Sequence, residues 1–203
     1  MTGETEMLRE TKSRLRREVL HRRDTLTESK RAAGSAEILR KVRGLAAYRE
    51  ANVVLAYSSF GSELRTAGFL RSVLEEGKTL ALPRIDREKK LLNLHAVRNL
   101  DEDLEPGVWG IREPGADLPA VDLAEVDIAL VPGVAFDARG GRLGHGAGFY
   151  DRLLGSSKKR PLLVAGAFEV QMVEGVLMAA HDIPMDLVAT ESRFCPGINQ
   201  PSR

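Results

Sequence analysis

Residues 126–154 read VDIALVPGVAFDARGGRLGHGAGFYDRLL. The opening VDIALVP is a short apolar run closed by proline, the pattern of a buried strand. GVAFDARG then turns the chain. Glycine recurs at 140, 141, 144, 146 and 148, and FYDRLL starts an amphipathic helix. Strand, glycine loop and helix start form the repeating unit of an α/β sheet. The glycines suggest that something comes close to the main chain here, because glycine allows approaches and dihedrals that other residues forbid.

The same alternation extends in both directions. Upstream, NVVLAYS (52–58) and TLALPRI (79–85) read as strands around a helix, ELRTAGFLRSVLEEGK (63–78), which stops at Gly77. LLNLHAV (91–97) is another strand, and downstream PLLVAGAF (161–168) and DLVATE (186–191) are two more. Two helices precede them. In 8–26, Leu8, Leu15, Val19 and Leu26 fall on one stripe at about 100° per residue. The second begins after Thr27 as N-cap, with Glu28 in its first turn. The expected fold is α/β: one Rossmann-like domain over 1–203, its mostly parallel sheet flanked by helices on both faces, with an N-terminal helical pair. DEDLEPGVWGIREPGADLPAVDLAEV (101–126), rich in proline, glycine and acid, reads as a long surface excursion of the kind that often carries function.

Composition narrows the class. The 203 residues are 43% apolar and 29% charged, with a net charge of +1. No apolar run approaches the roughly 20 residues of a membrane span. The opening MTGETEMLRETKSRLRR lacks the apolar stretch of a secretory signal. Cys195 is the only cysteine, which excludes an internal disulfide framework. A cytoplasmic protein without a membrane partner is expected. Residues 8–31 hold nine Lys or Arg against four Asp or Glu, and this is where an anionic partner is sought. Lys12, Arg16 and Arg23 lie along one edge beside the apolar stripe. No aromatics are interleaved there, so nucleic acid is not expected.

Several chemistries remain open on the residues alone. The amides of 140–150, with a helix N-terminus behind them and Arg142 and His145 nearby, can cradle an anion; the glycines can equally serve only to turn the chain. The loop is neither a GxxxxGK[ST] loop nor a dinucleotide fingerprint. Asp151, in the first turn of its helix, suits either capping or Mg²⁺, which takes one or two carboxylates with phosphate and water oxygens. Arg23, His21, His95 and His181 read as surface or turn residues. A sugar-phosphate or acyl-transfer enzyme on a similar scaffold and a nucleic-acid-associated module are the rival classes.

Taken together, LVPGVAFDARGGRLGHGAGFYDRLL, KSRLRREVLHRRDTL, YSSFGSELRT, LPRI, WGIREP and HDIPMDLVATE, in this order and spacing, resemble the 5-formyltetrahydrofolate cyclo-ligase family, also called 5,10-methenyltetrahydrofolate synthetases. The resemblance covers nearly the whole chain. It implies an ATP- and Mg²⁺-dependent ring closure of 5-formyltetrahydrofolate in folate one-carbon metabolism, by a monomer or weak homodimer. ATP contacts are implied for Lys12, Arg16, Arg142, Leu143, Gly144, His145, Gly146, Ala147, Gly148, Phe149 and Tyr150, with Lys12, Arg142 and Tyr150 in the catalytic set. Folate contacts are implied for Ser58, Glu63, Trp109 and residues 145–149, and Mg²⁺ coordination for Asp151 and Asp182. Two departures stand out. His145 replaces an arginine or neutral residue, and Ala147 replaces a glycine or lysine; alanine at a position of positive φ would strain the loop.

Overall fold

In the computed structural model, which describes residues 3–197, the apolar runs become a seven-stranded sheet buried on both faces. The order of elements is α1 (Gly3–Asp24), α2 (Glu28–Arg43), α3 (Ala46–Glu50), β1 (Val53–Leu55), α4 (Ala67–Glu75), β2 (Thr79–Asp86), β3 (Leu91–Val97), β4 (Leu104–Pro106), β5 (Arg112–Pro114), β6 (Ile128–Leu130), β7 (Ala135–Asp137), β8 (Arg142–Leu143), α5 (Phe149–Gly155), β9 (Leu162–Gly166), β10 (Met172–Val173), β11 (Leu187–Ala189) and β12 (Phe194–Pro196). The main sheet runs β12-β11-β9-β6-β1-β2-β3. Its five inner strands are parallel, and β3 and β12 close the edges antiparallel.

Successive side chains of a strand point to opposite faces. Val54, Ile128, Leu130 and Val164 therefore pack with Ile38, Tyr48 and Phe69 of α2, α3 and α4. Leu55, Ala129, Leu163 and Ala165 pack on the other side with Leu153 and Leu154 of α5. The expected α/β architecture with helices on both faces is what the chain adopts.

The N-terminal helices divide between two places. Helix α2, capped by Thr27, lies on the main sheet against β9 and β11. Helix α1 packs instead on a small sheet of order β10-β7-β8, burying Val19 with Val134, Ala135, Leu143 and Val176. It ends at Asp24, two residues short of the expected Leu26, and Leu26 packs beyond it on the main core. The expected helix at 63–78 contracts to Ala67–Glu75. The excursion at 101–126 holds the β4–β5 hairpin.

The site is positioned by connectivity. From β1 the chain goes to β2 and β3 on one side, then returns to β6 on the other side of β1. Beyond the carboxyl ends of β1 and β6 the two connections diverge and leave a crevice, where ligands of open α/β sheets bind. The glycine loop reaches this crevice from the small sheet, not directly from the main sheet as the sequence pattern suggests. Asp137 shapes its root. One carboxylate oxygen accepts from Arg139 N (2.8 Å) and Gly141 N (2.9 Å), the other from Val176 N (2.8 Å). Between them Gly140 has φ +88°, and a Cβ there would lie 2.2 Å from Met185 O. Gly140→Ala is therefore expected to lower stability by about 3 kcal/mol, combining left-handed strain with a backbone overlap. Urea unfolding of the variant checks this.

Candidate active site

The crevice opens into one cleft of about 1040 Å³. Its volume lies at the upper end of the roughly 300 to 1,000 Å³ typical of small-molecule pockets. Lys12, Arg16, Ser58, Glu63, residues 142–151 and Asp182, separated by up to 170 positions in the chain, all line it. The Trp109 side chain lies outside the described residues.

One wall is cationic. Lys12 and Arg16 stand one turn apart on α1. Lys12 Nζ donates to Asp182 Oδ2, and Arg16 Nε donates to Gly144 O at 2.7 Å. Burial lowers the Arg16 guanidinium and the Asp182 charge pulls it back up. The helix thus grips the glycine loop and the 179–183 segment at once.

The loop has the shape of a cradle. Gly146 (φ +107°) and Gly148 (φ +69°) adopt dihedrals open to glycine. A Cβ on Gly148 would come within 2.9 Å of the Arg152 guanidinium. Ala147 is not among the residues of positive φ, so the alanine brings no strain. Helix α5 begins at Phe149 with Gly148 as a cap that offers no side-chain bond.

Asp151 does not cap that helix. Its Oδ1 accepts from Arg142 at 2.6 Å and from Ile183 N at 3.2 Å. Arg142 leaves β8 with its side chain only 2% exposed and also donates to Pro132 O at 3.2 Å. Its Nε is buried with no hydrogen-bond partner among the described residues. Asp182 Oδ2 accepts from Lys12 and from Ala179 N (2.7 Å). The second oxygens, Asp151 Oδ2 and Asp182 Oδ1, accept no hydrogen bond among the described residues. Adjacent residues 182 and 183 bring the two carboxylates to one end of the cleft. Among the described residues no three potential metal ligands cluster. A cation held here would complete its shell with phosphate and water oxygens, which is the habit of Mg²⁺. The residues fit that ion.

Burial raises the Asp182 carboxyl, but the hydrogen bonds from Lys12 and Ala179 N and the charges of Lys12 and His181 outweigh it and hold it below its ordinary value. The resulting stabilisation is present above the ordinary carboxylate range and is lost as pH falls through the depressed value. Asp182→Asn should therefore be less stable than the parent at pH 7, with the gap closing as pH drops below about 4. Denaturant melts at the two pH values test the sign.

The rest of the lining is largely apolar but includes two buried acids, Glu63 and Glu113. Glu63 is 5% exposed; Oε1 is paired with His145 Nε2 at 3.1 Å, and Oε2 accepts from Phe60 N at 3.2 Å. The Phe60 ring is tilted 40° to the His145 ring with centroids 5.7 Å apart. Thr66, fully buried, donates its hydroxyl to Tyr57 O (2.7 Å) and accepts from Ser59 N, which fixes the loop carrying Ser58 and Glu63. Burial, with Glu63 nearby, pushes the Tyr150 phenol upward while Arg142 pulls it down. Tyr150 therefore stays protonated, a donor at neutral pH.

The 5-formyltetrahydrofolate cyclo-ligase family model matches residues 8–191. The chain belongs to this family. The cyclo-ligase of Mycolicibacterium smegmatis is 35% identical over 192 residues, covering 90% of this chain and 95% of that one. The Saccharomyces cerevisiae cyclo-ligase is 32% identical, covering 88% of this chain and 94% of its own. The solution structure of the Aquifex aeolicus 5,10-methenyltetrahydrofolate synthetase superposes with a TM-score of 0.83 at 34% identity, over 95% of each chain.

Within the cyclo-ligase framework two residues differ from the surface roles expected of them. Arg23 is 4% exposed and donates to Ser62 Oγ at 2.9 Å. His95, on β3, is 8% exposed, with Nδ1 2.9 Å from Leu118 O. Arg23 carried a signal: it lies on the edge of α1 that holds Lys12 and Arg16. His95 carried the alternation of LLNLHAV but nothing naming its partner. Among the described residues no helix is long and apolar enough to cross a membrane.

Proposed function

We propose that this chain catalyses the ATP- and Mg²⁺-dependent conversion of 5-formyltetrahydrofolate to 5,10-methenyltetrahydrofolate, releasing ADP and phosphate. One observation carries the reading: a single cleft of about 1040 Å³ with Lys12, Arg16 and the glycine loop along one wall and the buried acid Glu63 at its apolar end. In the reaction the terminal phosphoryl group passes to the formyl oxygen, N10 attacks the formyl carbon and loses its proton, and the carbon–oxygen bond breaks as phosphate leaves.

Phosphoryl transfer asks mainly for positioning and charge stabilisation. Lys12 and Arg16, already partly desolvated, neutralise phosphate charge without further solvent reorganisation. The amides of 144–148 donate to phosphate oxygens across a surface that side chains would block. Tyr150 supplies a protonated phenol as a donor. Asp151 and Asp182 would hold Mg²⁺, which would supply charge to draw phosphate oxygens into register. Arg142 acts on that set through Asp151. Glu63 accepts from pterin N–H groups, Ser58 shapes the ring pocket, and residues 145–149 separate the two ligands. With both ligands in place the apolar end excludes water, which protects the phosphorylated formyl group from hydrolysis. The reading places the protein in the cytoplasm as a monomer or weak homodimer.

Purified protein given 5-formyltetrahydrofolate should form the methenyl product, seen by its near-ultraviolet absorbance, only when ATP and Mg²⁺ are both present. Product formation without ATP would reject the phosphorylation step. No product in the complete mixture would reject the function.

A further inference from the structure

Arg23 is the one member of the basic edge of α1 that phosphate binding does not use. It follows Arg16 by seven residues, two turns further along the same face and roughly 10 Å along the axis. An arginine there for helix solubility would be solvated, whereas this one is 4% exposed. Its Nε donates to Ser62 Oγ at 2.9 Å, and Ser62 Oγ donates to Asp24 Oδ1. No carboxylate pairs with it directly among the described residues. Burial weakens its hold on its proton, and of the acids around it Glu63 acts most strongly in restoring that hold, followed by Asp24.

Glu63 sits on the turn that Arg23 holds. It is buried, next in sequence to Ser62, and its direct partners are His145 and the amide of Phe60. Arg23 and Glu63, both buried, lie on either side of one serine, which is tied to α1 at both Arg23 and Asp24. The same helix that presents Lys12 and Arg16 at one end of the cleft thus props the turn carrying Glu63 at the other.

We infer that Arg23 is a positioning residue for folate recognition: through Ser62 it fixes the turn at 60–63 and so aims the Glu63 carboxylate into the cleft. The inference rests on the proposed role of Glu63 at the pterin. It joins the nucleotide end and the folate end of the cleft through one rigid helix.

A double-mutant cycle on binding tests it. Dissociation constants for 5-formyltetrahydrofolate, without ATP, are measured by titration calorimetry for the parent, Arg23→Met, Glu63→Gln and the double variant; ADP with Mg²⁺ is titrated in parallel, and thermal unfolding is recorded for each protein. Arg23→Met is expected to weaken folate binding about tenfold, with ADP affinity within about twofold of the parent. Arg23→Lys should recover part of the loss. In the Glu63→Gln background Arg23→Met should change folate affinity less than about threefold, since its target is gone. Should Arg23→Met fail to fold, Arg23→Lys carries the cycle, with a smaller loss that vanishes beside Glu63→Gln. Multiplying losses in the double variant, equal losses for folate and ADP, or unchanged folate binding would each overturn the inference. If the parent itself binds no folate, the substrate reading fails and this inference falls with it.

Discussion

Lys12→Ala is expected to lower kcat/KM for ATP by about a thousandfold while leaving the protein folded. Lys12 projects from the middle of α1 into the cleft, so alanine, the best helix former, preserves the helix. The side chain is 14% exposed and already bound to Asp182. Its charge is therefore held in place beside the proposed metal carboxylate, and a fixed charge near transferring phosphate is worth about two to three powers of ten in rate. The loss of its bond to Asp182 should cost only about 1 kcal/mol of stability, because that carboxylate keeps Ala179 N and remains partly solvated. Steady-state kinetics together with a thermal melt separate the two effects. Arginine at position 12 should restore little, since a planar fork does not replace a compact ammonium in this space.

Arg142→Ala should combine a comparable loss of turnover with a structural penalty. The Arg142 side chain is 2% exposed, and its guanidinium holds Asp151 at 2.6 Å and Pro132 O at 3.2 Å. Removing it leaves Asp151 with only the amide of Ile183 as a hydrogen-bond donor. Breaking a buried pair in this way costs about 3 kcal/mol, and the released carboxylate no longer faces the metal position in a fixed orientation. The expected result is a Tm several degrees lower and a Mg²⁺ requirement raised at least tenfold, with residual turnover at high Mg²⁺. Arg142 thus differs from Lys12 in kind: it is expected to act through Asp151, where the family resemblance implies a direct grip on phosphate. A fully stable Arg142→Ala with a normal Mg²⁺ dependence would contradict that distinction.

The sequence made the sheet and the loop readable to different depths. LLNLHAV became β3 with the same bounds, an apolar run whose first four residues alternate exposed and buried. The apolar run at 126–132 gave only the three residues of β6, although the strand lies where the pattern puts it. Strands β7, β8 and β10, two or three residues each, have too few positions to show any period. They exist because Asp137, Val176 and the hairpin at Gly140 meet in space. In the site, the glycine spacing and the basic pair on α1 were legible because both are local. The pairing of Lys12 with Asp182 spans 170 residues, and no local pattern encodes it. Asp151 was correctly expected in the first turn of its helix, yet its partner was hidden in β8. Arg23 was misplaced because one helical face meets the cleft near Lys12 and the turn at Ser62 further on; only the tertiary packing tells buried arginine from solvated.

The most direct test is a structure with a non-hydrolysable ATP analogue, Mg²⁺ and 5-formyltetrahydrofolate bound together. The phosphates should lie against Lys12, Arg16 and the amides of 144–148, the ion between them and Asp151 and Asp182, and the pterin edge at Glu63. Nucleotide bound outside this cleft, or a pterin remote from Glu63, would contradict a shared site for the two substrates.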